Sequence, residues 1–93
     1  MARIKLDAEA IANGLKELND WQVSGIFLKK RFEFENFARA LEFVNKAGEF
    51  AEKLDHHPDI KFGWGYAEFE IITHDTGGLT HNDFDLAKAI DGI

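Results

Sequence analysis

The hydrophobic positions of this chain switch between helical and strand periods, and each switch marks an element. Leu6-Asp7-Ala8-Glu9-Ala10-Ile11 reads as a helix start, with Asp7 able to cap the free amides and Leu6 and Ile11 spaced for a hydrophobic staple. Ile11, Leu15 and Leu18 continue one apolar face, weakened at Asn13-Gly14 and ended by Asn19-Asp20. Residues 21–23, a turn at Ser24-Gly25 and residues 26–34 predict a β-hairpin. In its second strand Ile26, Leu28, Phe32 and Phe34 alternate onto one face, with Lys30 the polar exception.

Residues 36–56 return to the helical period. Phe37, Ala40, Leu41, Val44, Ala47, Ala51 and Leu54 form a long stripe, and Phe43 and Phe50 form a second one beside it. Two apolar faces need two surfaces to bury against. One is expected to be the chain's own sheet and the other, carrying Phe43 and Phe50, a neighbouring subunit; the alternative is one wide face in a monomer. Pro58 pushes its predecessor out of the α region and stops the helix. Ile60, Phe62, Trp64 and Tyr66 then alternate as one strand, and Phe69, Ile71 and Thr73 as another. Asp75-Thr76-Gly77-Gly78 predicts a turn. The last helix opens with Thr80 as cap, Asp83 closing a capping box and Leu79 with Phe84 as staple, and it ends near Asp91-Gly92. The order α-β-β-α-β-β-α predicts an α+β fold: one domain over residues 1–93, a four-stranded antiparallel sheet with three helices on one face.

A chain of 93 residues buries only about 60–65% of its unfolded surface, so self-association would help it. Nine phenylalanines and 45% hydrophobic residues nonetheless suffice for a packed core. The net charge of −6 disfavours a broad nucleic-acid interface. No cysteine is present, which removes disulfides, thiolate metal sites and cysteine nucleophiles. The opening residues carry no apolar signal core and no run approaches membrane-spanning length, so a cytoplasmic protein is expected.

Histidine carries the candidate chemistry. His56 and His57 stand where the long helix ends, and His74 stands where the last strand runs out. Element ends are where functional groups collect, and imidazole exchanges protons near neutral pH. Taken singly, each also fits a structural role: His57 as a helix-terminal donor, His74 as a turn residue. His81, next to the Thr80 cap, is assigned nothing. A zinc site formed by three histidines with Asp83 is the rival use. However, no two histidines lie one helical turn apart, and adjacent histidines project in different directions. No glycine-rich phosphate loop and no nucleophile elbow occurs.

Glu52, three positions, His56-His57-Pro58, five positions, Trp64, nine positions, His74, and then Asp83 downstream resemble the pterin-4a-carbinolamine dehydratase family. The likeness extends from the Leu6 helix start through Trp21 to the last helix; Ile60 departs from it where many relatives carry an aromatic residue. The resemblance implies a pterin substrate: a 4a-hydroxytetrahydropterin (4a-hydroxytetrahydrobiopterin) dehydrated to quinonoid dihydropterin in tetrahydropterin recycling, with no cofactor and no metal. It further implies His56 and His74 as acid/base groups and His57 as substrate-binding. Trp64 would wall the pocket for a flat ring, Asp83 would orient a histidine, and Glu52 and Pro58 would shape the site. A homodimer or homotetramer is the expected assembly. Some relatives act as transcriptional cofactors or assembly factors, so a non-catalytic oligomeric binding module is the alternative. The three intact histidines favour the enzyme.

Overall fold

The described residues form seven elements: α1 (Ala8–Leu15), β1 (Gln22–Ser24), β2 (Phe27–Glu33), α2 (Phe37–Leu54), β3 (Asp59–Gly63), β4 (Tyr66–Ile71) and α3 (His81–Asp91). They come from a computed structural model that describes residues 4–93; residues 1–3, part of the opening stretch read as lacking a signal core, lie outside the described residues. The order matches the expectation, and the fold is α+β. All strands pair antiparallel, in the spatial order β1-β2-β4-β3. Among the described residues no helix is long and apolar enough to cross a membrane.

Alternation decides which way the sheet faces. Ala67, Phe69 and Ile71 of β4 are buried, and in register beside them stand Phe32, Lys30 and Leu28 of β2 and Phe62 and Ile60 of β3. Their neighbours point the other way, where Arg31 pairs with Glu68 at 2.7 Å and Lys29 with Glu70 at 2.9 Å. Exposed pairs of this kind contribute about 0–1 kcal/mol each. The apolar face, shared as one core with Ile11 and Leu15 of α1, Ala47 and Ala51 of α2, and Leu86 and Ile90 of α3, does far more. Lys30 sits at the margin of that core. Its ammonium lies 2.8 Å from Asp91 Oδ1, which also accepts the Trp21 Nε1–H at 2.9 Å. The polar exception in β2 thereby ties the end of α3 to the first hairpin.

Three expectations need correction. The first hairpin turns at Gly25-Ile26, not Ser24-Gly25, because Ser24 pairs with Phe27. Gly25 takes φ +63°, which glycine adopts without strain, and Ile26 leaves the strand for solvent. The run Ile60, Phe62, Trp64, Tyr66 is not one strand. Gly63 pairs with Tyr66 across a two-residue turn at Trp64-Gly65, with Gly65 at φ +81°. An apolar residue in the turn kept the alternation going and hid the reversal, which puts Tyr66 on the face opposite Phe62.

The third correction concerns α2. Asn36 caps it, its Oδ1 accepting the Arg39 N–H at 2.9 Å. Ala40, Ala47 and Ala51 are buried, and the small side chains let the helix lie close to the sheet. Phe43 goes into the chain's own core: its ring centroid is 4.6 Å from that of Phe32, 5.0 Å from Phe34 and 6.0 Å from Phe69. Phe50 packs against the same core. The exposed apolar residues are instead Phe37 (45%), Leu41 (39%) and Leu54 (43%), which the stripe reading placed inside. The long stripe thus splits: its alanines and Val44 face the core as expected, Phe37, Leu41 and Leu54 stay exposed, and Phe43 and Phe50 join the core.

Candidate active site

Strand pairing brings the histidines together. β3 and β4 run antiparallel with Asp59 opposite Glu70, so residues just before β3 and just after β4 meet at one end of the sheet. His56 and His57 precede β3, and His74 follows β4. Two local devices aim them. Asp55 ends α2 in the left-handed region at φ +49°, ψ +44°, and the Asp55 and His56 amides donate back to the Glu52 and Ala51 carbonyls at 3.3 and 3.1 Å. This closure turns the chain, carrying His56 inward while His57 stays exposed. Beyond β4, a bridge between Thr73 and Gly78 closes the loop that presents His74. Asp55, His56, His57, Ile72, His74 and Asp75 line a shallow cavity of about 290 Å³. A larger concavity of about 660 Å³ lies over the polar face of the sheet, but it contains no histidine.

Beneath the cavity lies a sealed polar network. His56 Nε2 is 2.6 Å from Asp83 Oδ1. Asp83 Oδ2 accepts the Thr80 amide N–H and the Thr73 hydroxyl, each at 2.8 Å. The Thr73 and Thr80 hydroxyl oxygens are 2.8 Å apart, and the Asn82 amide donates to Thr80 Oγ1 at 3.2 Å. All four side chains are buried, Asp83 and Thr73 completely. A carboxylate can only accept, so the network assigns the proton of the short contact to His56 Nε2. His56 Nδ1, the other ring nitrogen, makes no hydrogen bond among the described residues, none of which leaves a buried polar side-chain atom unpaired. It is therefore the nitrogen available to the cavity. Asp83 serves two roles at once, because its bond to the Thr80 amide also completes the capping box of α3.

His57 Nε2 pairs with Glu52 Oε2 at the surface. The His74 ring is exposed and is held by no carboxylate among the described residues. The site thus holds three different imidazoles: one buried and oriented, one in an exposed pair, one untethered. Pro58, half-buried, leads into β3. Trp64 does not join them within one chain. It occupies the tip of the β3–β4 hairpin, 72% exposed, and the five residues of β3 put it about 16 Å from the histidine end. The turn at Trp64-Gly65 is what holds it at that tip. Thr73 and Thr80 were missed as parts of the site. A hydroxyl at a core position of a strand, in phase with Phe69 and Ile71, was the available signal, since a buried hydroxyl demands a partner. Among the described residues no group of three His, Asp or Glu is arranged to hold a metal ion.

Fold and site together define a small α+β domain with a histidine–carboxylate centre at one end of its sheet. The family model described as Pterin 4 alpha carbinolamine dehydratase matches residues 4–93, and the chain belongs to this family. A relative from Rubrobacter xylanophilus is 45% identical over 95% of this chain and 83% of its own length. One from Picosynechococcus is 43% identical over the whole of both chains. Each bears the name "Putative pterin-4-alpha-carbinolamine dehydratase". The crystal structure of a transcriptional coactivator/pterin dehydratase from Brucella melitensis superposes with a TM-score of 0.91 at 30% identity, covering 96% of this chain and 97% of that one. A pterin dehydratase-like protein identified as a RuBisCO assembly factor in the alpha-carboxysome shares the fold, with a TM-score of 0.65 at 22% identity over 81% of this chain and 87% of its own.

Proposed function

We propose that the chain is a hydro-lyase that dehydrates a 4a-hydroxytetrahydropterin to quinonoid dihydropterin and water. The observation that carries this reading is His56, buried beside Asp83 with its second ring nitrogen left for the cavity that His57 and His74 also line. In the reaction a ring nitrogen of the pterin gives up a proton, the C4a–O bond breaks with its electron pair going to oxygen, and that oxygen gains a proton and leaves as water. The substrate becomes dihydropterin plus water, with no change of overall redox state. His56 Nδ1, with a free lone pair in the assigned tautomer, suits the base. His74, exposed and able to recover a proton from solvent, suits the acid. His57 with Glu52 lies beside them to bind the polar edge of the ring.

A second reading is a non-catalytic binding module. The exposed apolar side of α2 at Phe37 and Leu41 favours it, as does the name of the Brucella relative. One experiment separates the two. Decay of chemically generated 4a-hydroxytetrahydropterin is followed by stopped flow with and without the protein, the spontaneous reaction being subtracted. Faster decay in proportion to protein concentration is expected. Decay at the spontaneous rate would leave the binding module as the function.

A further inference from the structure

We propose that Thr73 is a positioning residue for His56, acting through Asp83: its hydroxyl locks the carboxylate so that the imidazole is held as the Nε2–H tautomer with Nδ1 toward the cavity. The part of this that concerns turnover rests on the function proposed above; the tautomer does not.

Proton counting sets the direction of the chain of bonds. Each hydroxyl has one proton to give. Asp83 Oδ2 can only accept, so Thr73 must give its proton there, at 2.8 Å. Thr80, 2.8 Å from Thr73 Oγ1, must then give its own proton to Thr73. Thr80 in turn accepts the Asn82 amide of α3 at 3.2 Å. Reversing the Thr73–Thr80 bond would set the Thr73 lone pairs against Asp83 Oδ2 in a site sealed from water, which is costly. Donation therefore runs one way only, from the Asn82 amide through the Thr80 and Thr73 hydroxyls to Asp83, which accepts the His56 Nε2–H from the other side.

Two donors on Oδ2, the Thr80 amide and the Thr73 hydroxyl, come from opposite ends of the loop between β4 and α3 and fix the carboxylate plane. Oδ1 is left for His56 alone. With only the Thr80 amide remaining, the carboxylate can rotate about its terminal bond, and the imidazole loses its single orientation. Thr73 is adjacent to His74, so the same strand end presents one histidine and steers another.

The test uses Thr73→Val, which keeps the shape and removes the hydroxyl, and Thr73→Ser, which keeps the hydroxyl and removes a methyl. Nitrogen-15 spectra of the histidine rings report the tautomer of His56 without reference to activity. Expected are one Nε2–H tautomer in the wild type and in Thr73→Ser, and two exchanging tautomers in Thr73→Val. In the dehydration assay kcat of Thr73→Val should fall by about tenfold or more, the scale usual for orienting partners, while KM changes little and Thr73→Ser recovers the rate. A role confined to stability predicts that both variants lower the melting temperature and that neither moves the tautomer. A single Nε2–H tautomer in Thr73→Val overturns the proposal. So does an Nδ1–H tautomer in the wild type, a result that needs no variant to fold. If the wild type gives the expected spectra but no turnover, the positioning stands and only the dehydratase reading fails.

Discussion

At the scale of single residues, Asp83 concentrates the argument. It is fully buried and accepts from three donors, and its short bond to His56 also decides which nitrogen of that ring faces the cavity. Asp83→Asn keeps the shape but swaps one acceptor for a donor. The amide oxygen satisfies Thr80 and Thr73, so its NH2 meets the His56 proton and drives the ring to the other tautomer. We expect a folded protein, destabilised by about 1–3 kcal/mol, whose turnover drops by about a hundredfold or more. Steady-state kinetics beside a thermal melt checks this, and wild-type kcat in Asp83→Asn would remove the carboxylate from the account. Asp83→Glu adds a methylene to a sealed network and should cost about 1–3 kcal/mol by overpacking. His57 is in the exposed pair with Glu52, so His57→Ala is expected to raise KM several-fold with kcat nearly unchanged. The three histidines and Asp83 were legible from their spacing and family likeness. Thr73 was not, because which acceptor a strand hydroxyl meets depends on where α3 docks.

At the scale of elements, local chemistry was read correctly wherever it was self-contained. Asp7 and Thr80, the two caps expected from the sequence, both cap their helices, since a cap needs only its own next three residues. Turns were read less well, because Trp64 and Ile26 are apolar residues in loops. Gly14 shows the same limit in a helix. From sequence it weakens α1, and replacement by alanine should gain about 1 kcal/mol of helix propensity. In the fold a Cβ at Gly14 would stand 2.7 Å from the buried Phe84 ring. Phe84 belongs to the first turn of α3 beside Asp83, so it cannot give way freely. Gly14→Ala is therefore expected to lower stability by about 1–2 kcal/mol net, measured by urea unfolding. Asp55 is the opposite case. It is exposed, ends α2 at φ +49° and has room for glycine, so Asp55→Gly should stabilise by about 0.5–1 kcal/mol. A loss of stability there would mean that the Asp55 side chain supports the turn that carries His56 inward.

For the whole molecule, the fold class followed from the order of periods, but the outer surface of α2 did not. Both of its sides are apolar in sequence, and only the docked helix shows that Phe43 faces the sheet while Phe37, stacked on Phe62 at 5.6 Å, faces out with Leu41. If the protein associates with itself, Phe37 and Leu41 are the residues to be covered. Light scattering on Phe37→Glu, Leu41→Glu should report a smaller mass than the wild type with melting preserved. Phe43→Glu should instead lower the melting temperature strongly, because it sets a charge among the Phe32, Phe34 and Phe69 rings that the half-buried Phe43 packs against. A folded Phe43→Glu protein of reduced mass would reverse this assignment. The proposed activity, in contrast, is assigned to the end of the sheet where the ends of α2 and β4 and the start of α3 bring His56, His74 and Asp83 together. The most direct test is the stopped-flow rate of 4a-hydroxytetrahydropterin dehydration by the wild type, His56→Ala and His74→Ala, each at several protein concentrations. The account predicts wild-type acceleration proportional to concentration and losses of about a hundredfold or more in each variant. Equal rates in all three proteins, whether fast or spontaneous, would contradict it.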